Sequence, residues 1–277
     1  MRPMNAQTQH IPFMKMHGLG NDFVVIDARS VAPHRTPEIT PEIARAMADR
    51  HCGIGFDQLA VLRDSDVADL HLSFLNADGS PAQTCGNASR CIARHLMQET
   101  GQAQVRLATD HALMQARDAG GGLTSVNMGQ AATDWQAIPL ARALDTLELP
   151  IEGAPVATSM GNPHCTFFVE DAETVDLATR GPAVEHHPLF PERTNVQFAS
   201  LTGPDTLRMR VWERGTGITL ASGSSSCATA HAAHRRGLVG RNVTLHLDGG
   251  TLQIDLADDG IWMTGPTAHA FDGIWRG

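Results

Sequence analysis

The sequence predicts an α+β fold made of two pseudo-symmetric lobes that arose by internal duplication. Three observations carry this. Short β-branched or alternating segments outnumber helical ones along the 277 residues. Gly20-Asn21 opens one apolar run and Gly161-Asn162 opens another. Asn76 leads by nine residues to Cys85-Gly86-Asn87, and Glu213 leads by nine to Ser222-Gly223-Ser224. The echo repeats in the same order at offsets of 141 residues (21 to 162) and 137 residues (76 to 213), which is the mark of a repeated unit.

Strands are expected at 23–27, 70–75, 104–108, 165–169, 206–212, 243–247 and 252–256. Three segments read as helix. The first, 41–50, has Thr40 as N-cap and Pro41 at the first helical position. The second runs over about 87–100 to Gly101, and the third over about 224–236 to Gly237. Both are expected to end with His or Arg in the final turn, which suits the helix dipole. The turn-rich stretches 117–122 and 153–155 place a boundary between the halves near 130–150. The expected division is 1–130, joined by a C-terminal strand at 268–277, and 131–267.

Composition narrows the function. Hydrophobic residues make up 42%, charged residues 18%, and Tyr is absent. The formal net charge of −9 is spread without a block, which argues against nucleic acid or an anionic membrane as partner. Five cysteines (52, 85, 91, 165 and 227) form no C-x-x-C pair, so neither a disulfide framework nor a structural zinc site is expected. The N-terminal MRPMNAQTQHIPF lacks an apolar signal region, and no run reaches the ~18 apolar residues of a membrane span. A cytoplasmic protein is expected. The pair Gly18-x-Gly20 is too short for a dinucleotide fingerprint and precedes a strand. No P-loop, G-x-S-x-G elbow or H-E-x-x-H occurs.

In each half a polar side chain sits at a helix start beside Gly. That end presents unpaired N–H groups and positive partial charge, so it holds a carboxylate and turns a thiol into a usable base near neutral pH. If the lobes face one another, both helix ends converge on one substrate carboxylate, with its α-carbon between residues 85 and 222. Inversion of a stereocentre needs this arrangement: one group removes the α-proton and another returns a proton on the opposite face. Two plainer readings stand beside it. Cys85 could be a helix-start residue without chemistry, and Ser222–Ser226 a flexible loop or an anion nest.

The chain also resembles the diaminopimelate epimerase family. The resemblance lies in KMHGLGNDFVVID (15–27), GIGFDQL (53–59), FLNADGSPAQTCGNASRC (74–91), MGNPH (160–164), GPAVEHHPLFPERTNV (181–196), ERGTGITLASGSSSCA (213–228) and the tail WMTGPTAHAFDG (262–273). It covers nearly the whole chain. It implies two lobes, each a curved mixed sheet or barrel around a central helix, with the active site in the cleft between them. It implies interconversion of LL- and meso-2,6-diaminopimelate, a step toward lysine and peptidoglycan, without pyridoxal phosphate, metal or any other cofactor, by a homodimer. Carried over, Cys85 and the residue at 222 are the acid/base pair. Asn21, Gln58, Asn76, Asn162, Asn195, Glu213 and Arg214 contact substrate. Gly86, Asn87, Gly223 and Ser224 hold the reacting carboxylate by backbone N–H, and His164 and Glu213 tune the pair. Arg214 suits a distal carboxylate, which it can meet in bidentate fashion.

Three positions depart from the family pattern. Ser222 stands where a second Cys is expected, Ile218 where Glu is usual, and Ser225 where Gly is usual. Such clustering reads as natural divergence of the second half-site, and an engineered Cys→Ser exchange at 222 is the other reading. A serine hydroxyl is a far weaker base than a thiolate and needs an activating neighbour. The same residues leave three other readings open: an epimerase or racemase of another amino acid, an isomerase that rearranges small acids, or an inactive amino-acid-binding homologue.

Overall fold

The computed structural model describes residues 10–29, 38–82 and 85–277. Residues 1–9, which include most of the segment read for a signal peptide, lie outside the described residues. So do Gln83 and Thr84 within the 74–91 motif. Contacts divide the described chain into two compact units. One takes residues up to Gly18, then Asp22–Arg117 and Thr267–Gly277; the other takes Leu19–Asn21 and Asp118–Pro266.

In the first unit β1 (His10–Gly18) precedes β2 (Asn21–Asp27), α1 (Pro41–Ala48), β3 (Gln58–Arg63) and β4 (Leu70–Asn76). The short β5 (Pro81–Ala82), then α2 (Gly86–Thr100), β6 (Gln104–Ala108) and β7 (Leu113–Gly120) follow. Strand β2 runs parallel to β3 across α1, and β3 is antiparallel to β4. Strand β4 is parallel to β6 across α2, and β6 is antiparallel to β7.

The second unit contains β8 (Leu123–Asn127), β9 (Val156–Ser159), β10 (Pro163–Phe168), α3 (Leu177–Glu185) and β11 (Asn195–Gly203). It continues through β12 (Thr206–Glu213), β13 (Gly217–Thr219), α4 (Gly223–Arg235), β14 (Asn242–Leu247), β15 (Gly250–Ala257) and β16 (Gly260–Pro266). Its pairings repeat those of the first: β10 parallel to β11 across α3, β11 antiparallel to β12, β12 parallel to β14 across α4, and β14 antiparallel to β15. The final strand, β17 (Ala268–Arg276), is antiparallel to β1 in the first unit.

The registers repeat as well. Phe23 pairs with Gln58, and His164 with Asn195. Leu70, six residues before Asn76, pairs with Leu107; Leu207, six before Glu213, pairs with Leu245. The two units thus share one strand–helix order, and Cys85 and Ser222 hold the same place in it.

Local chemistry sets the helix ends. Thr40 Oγ1 accepts from Ile43 N–H at 3.4 Å to start α1. The helix stops two residues before the expected 50, because Asp49 leaves helical geometry and its carboxylate accepts from the His51 and Cys52 N–H groups. Gly101, at φ 72°, ends α2 in the left-handed region that glycine enters freely. That last turn contains no basic residue, contrary to expectation, since His95 lies a turn too early; α4 does end on His234 and Arg235.

The middle of α4 is Cys227-Ala228-Thr229-Ala230, all buried, with Ala232 and Ala233 buried beyond. Small side chains let β9, β10, β11, β14, β15 and β16 pack against this one helix. A helix buried on most sides has little use for the polar stripe of a surface helix.

By its contacts the described chain divides at 117/118. The cause is β8, whose residues 123–127 pair with Pro266 to Trp262 of β16 and so belong to the second unit. Helix α3 was not anticipated, since Gly181 and Pro182 lie within it. Its close fit to β12 explains the glycine: a Cβ at Gly181 would lie 2.5 Å from Trp212 Cγ.

Candidate active site

In the first unit, the end of β4 and the start of α2 bring the half-site together. Gln58 and Asn76 face each other across β3 and β4, and Gln58 Nε2 donates to Asn76 Oδ1 at 3.1 Å. Asn76 Nδ2 in turn donates to Ser80 Oγ at 3.1 Å. Cys85 is the N-cap of α2, half-buried and in extended backbone geometry. Its Sγ accepts from the Ala88 N–H at 3.4 Å. Behind it Asn87 is buried, and its Oδ1 accepts from Arg90 Nη1 at 3.0 Å.

In the second unit, Ser222 is the N-cap of α4 and 4% exposed. Its hydroxyl makes no cap bond to the helix. Instead Ser222 Oγ donates to Glu213 Oε2 at 3.0 Å, and Thr219 Oγ1 donates to Glu213 Oε1 at 2.5 Å. Two hydroxyls therefore hold one carboxylate at the end of β12. The first N–H groups of α2 and α4, at Gly86-Asn87 and Gly223-Ser224, have no acceptor within their helices. They are suited to an anion.

Asn195 Oδ1 accepts from the Arg214 backbone N–H at 3.0 Å, and Asn195 Nδ2 donates to Pro163 O at 3.0 Å. These bonds fix the turn that carries Arg214. The Arg214 side chain is exposed, and its Nη1 donates to Glu192 O at 3.1 Å. Asn21 opens β2 and is half-buried. Asn162, just ahead of β10, accepts through Oδ1 from His164 Nε2 at 2.9 Å.

His164 is fully buried. Burial first, and the nearby Arg214 charge second, push its pKa down to about 3, so the ring is neutral. Its tautomer is set from behind. Gln197 Nε2 lies 3.1 Å from His164 Nδ1 and 3.0 Å from Ser225 Oγ, while Thr166 Oγ1 donates to Gln197 Oε1 at 3.1 Å. The amide can only donate through Nε2, so Nδ1 is the bare nitrogen and Nε2–H donates to Asn162. Its hydrogen bonds run to Asn162 and Gln197, whereas Glu213 is the group that touches Ser222.

Gln197, Thr166 and Glu185 were not anticipated from the sequence. A glutamine inside the apolar run NVQFAS (195–200) was the available sign. Glu185 is buried at the end of α3. It accepts from Trp212 Nε1 at 2.6 Å and from Gly215 N–H at 2.9 Å, which anchors the turn after Arg214. Ser225, a departure from the expected glycine, is the partner of Gln197.

Comparison with known proteins decides the family. A sequence model of diaminopimelate epimerase matches residues 13–133 and 156–270. The chain belongs to the diaminopimelate epimerase family. Members of similar sequence include the diaminopimelate epimerase of Rhodospirillum centenum, 52% identical over 269 residues, covering 94% of this chain and 91% of that protein. That of Erythrobacter litoralis is 52% identical over 270 residues, covering 96% and 97%. Two solved structures share the fold at low identity. A hydroxyproline epimerase from Agrobacterium vitis aligns with TM-score 0.67 at 14% identity, covering 98% of this chain and 93% of that one. A phenazine biosynthesis protein of the PhzF family from Bacillus anthracis aligns with TM-score 0.67 at 12% identity, covering 96% and 99%. Family membership makes this diaminopimelate epimerase homologue an isomerase.

Proposed function

We propose that this chain interconverts LL- and meso-2,6-diaminopimelate by two-base proton transfer at one α-carbon, with Cys85 and Ser222 as the acid/base residues. The observation that carries the reading is the equivalence of the two residues. Each caps the central helix of a unit with the same strand order, nine residues after the end of the preceding long strand. The N–H groups of Gly86-Asn87 and Gly223-Ser224 receive the reacting carboxylate and stabilise charge that spreads onto it as the proton leaves. Gln58, Asn76, Asn21, Asn162, Asn195 and Glu213 receive the polar groups of the substrate, and Arg214 takes the distal carboxylate.

A different amino acid as substrate would rest on Ile218 and Ser225. The Ser225 hydroxyl is buried and already accepts from Gln197, so this departure is absorbed inside the second unit. Ile218 is exposed. Diaminopimelate remains the better-supported substrate, and 52% identity to diaminopimelate epimerases over nearly the full chain agrees with it.

The test is incorporation of solvent deuterium at Cα over a panel of amino acids. Entry into diaminopimelate alone is expected. Entry into another amino acid alone, or none at all, would sink the reading. We also propose a cytoplasmic homodimer. Strand β17 exposes Phe271 and Ile274, apolar surface suited to a second copy. Sedimentation would show a monomer if this is wrong.

A further inference from the structure

The side chain of Arg214 is exposed, and an exposed arginine has many rotamers open to it. To meet a carboxylate in bidentate fashion, its guanidinium has to be held in one place. Three hydrogen bonds hold this turn, and all three acceptors come from the segment 185–195. Asn195 Oδ1 accepts from the Arg214 N–H at 3.0 Å. Glu192 O accepts from Arg214 Nη1 at 3.1 Å. Glu185 Oε1 accepts from the Gly215 N–H at 2.9 Å. Gly215 stands at φ 76°, in the left-handed region that suits glycine.

Of these three acceptors, Glu185 is the only side chain that can carry charge. It is 3% exposed, and a buried acid is costly unless its oxygens find partners. Its second oxygen, Oε2, accepts from Trp212 Nε1 at 2.6 Å. Glu185 therefore grips the chain two residues before Arg214 and one residue after it. Arg193 Nη1 lies 3.9 Å from Glu185 Oε1. Arg193 stands at φ 61°, a conformation that costs a residue with a Cβ. The peptide that precedes it supplies Glu192 O, the carbonyl that holds the guanidinium. We infer that Glu185 is a positioning residue that fixes the Arg214 turn, and so sets how tightly the distal carboxylate of the substrate is held. This inference rests on the reading that Arg214 takes that carboxylate, and it deepens that reading. Glu185 acts on the far end of the substrate and not on the proton transfer.

A double-mutant cycle separates positioning from a purely structural role. The Kd for diaminopimelate is measured by calorimetry for the unsubstituted chain, Glu185→Gln, Arg214→Met and the two combined. Gln keeps the size of Glu but turns an NH2 group toward one of the two donors, so Trp212 or Gly215 loses its acceptor. Glu185→Gln should raise Kd about tenfold, and Arg214→Met about tenfold to 100-fold. In the Arg214→Met protein the exchange at 185 should cost about twofold or less, because no guanidinium is left to place. Deuterium entry at Cα with saturating diaminopimelate should stay within about threefold in Glu185→Gln, as expected when binding alone is weakened. Glu185→Asp keeps the acid on a shorter stem and should follow the same pattern. It carries the test if the glutamine variant does not fold.

A defect of the fold would weaken binding alike with and without Arg214. Equal cost of the exchange at 185 in both backgrounds therefore overturns the positioning role and leaves the Arg214 reading standing. So does an unchanged Kd in Glu185→Gln, or a loss that falls on saturated deuterium entry instead of Kd. An unchanged Kd in Arg214→Met overturns the distal-carboxylate reading and the inference together.

Discussion

The side-chain amide of Gln197 donates to Nδ1 of His164 at 3.1 Å, and this one contact decides which nitrogen of the imidazole carries the hydrogen. Because Nδ1 is occupied as an acceptor, Nε2–H donates to Asn162 Oδ1, and the Asn162 amide is oriented in turn. Gln197→Leu removes the hydrogen-bond partner of Ser225 Oγ, Thr166 Oγ1 and His164 Nδ1 inside a buried network. It should cost about 3 kcal/mol of stability, since each orphaned buried polar group costs roughly 1–3. Urea unfolding measures the loss, and imidazole nitrogen shifts show whether the tautomer becomes mixed. A single retained tautomer would refute the assignment.

Ser222→Cys should raise epimerase activity, because a thiol ionises far more readily than a hydroxyl. Cys85→Ala should abolish inversion yet leave the fold intact, since the 3.4 Å cap bond that its Sγ accepts from Ala88 N–H is long. Assays with LL- and meso-diaminopimelate, together with circular dichroism, check both. No gain in the first variant would contradict the matched placement of residues 85 and 222.

The five cysteines should divide by accessibility. Cys52 is exposed and Cys85 half-buried, whereas Cys91, Cys165 and Cys227 are buried. Burial pushes the Cys91 thiol up to about 11 and raises Cys165 further, which keeps both unreactive. An alkylating reagent should therefore modify two thiols in the native protein and all five after denaturation. Mass spectrometry of digests reads the sites, and bound substrate should protect Cys85 but not Cys52.

Acid should destabilise the first unit through Asp22. Burial alone would raise its pKa, but hydrogen bonds from Arg50 and Lys15 outweigh that and lower it from 3.8 to about 2. The ion pairs measure 2.8 Å to Arg50 Nη2 and 2.5 Å to Lys15 Nζ. A carboxyl group held below its unfolded value stabilises the fold above that value and loses this contribution as pH falls through the folded one. The loss should fall between about pH 4 and pH 2. Asp22→Asn should lack the stabilisation at neutral pH and show a flatter stability profile over that interval, as urea midpoints would record.

Gly181→Ala should destabilise the second unit. The added Cβ would lie 2.5 Å from Trp212 Cγ, and overpacking of this kind costs about 1–3 kcal/mol. Displacing Trp212 also disturbs Glu185, which holds Gly215 next to Arg214. A lower Tm together with a raised KM is the expected pattern. An unchanged KM would show that the Arg214 turn does not depend on this packing.

Much of the architecture was readable in the chain because it is locally encoded. Thr40 and Gly101 mark helix ends through bonds to residues three or four positions away. The echo between Asn76…Cys85 and Glu213…Ser222 was visible because duplicated elements keep their spacing even where residue identity has changed. Strands such as β3 and β11 were missed. Their buried runs show no alternation, and a short apolar run does not by itself distinguish strand from helix. Helix α3 escaped notice because its glycine and proline oppose helix formation locally; packing against β12 and the Asp176 cap, accepting from Thr179 N–H at 3.2 Å, support it instead.

The sequence by itself determined the helix starts at Cys85 and Ser222, their equivalent spacing and the family. These depend on neighbours close in the chain and on the order of motifs. Only the tertiary structure decided that the division falls at 117/118 and that Gln197 joins His164 to Ser225. It also decided that the Ser222 hydroxyl turns to Glu213 rather than to its own helix. A buried polar group must find a partner, and several are within reach of a hydroxyl or an amide at a helix start. Which one it meets is set by the strands that pack there, contributed by segments 28 to 33 residues away in the case of Gln197.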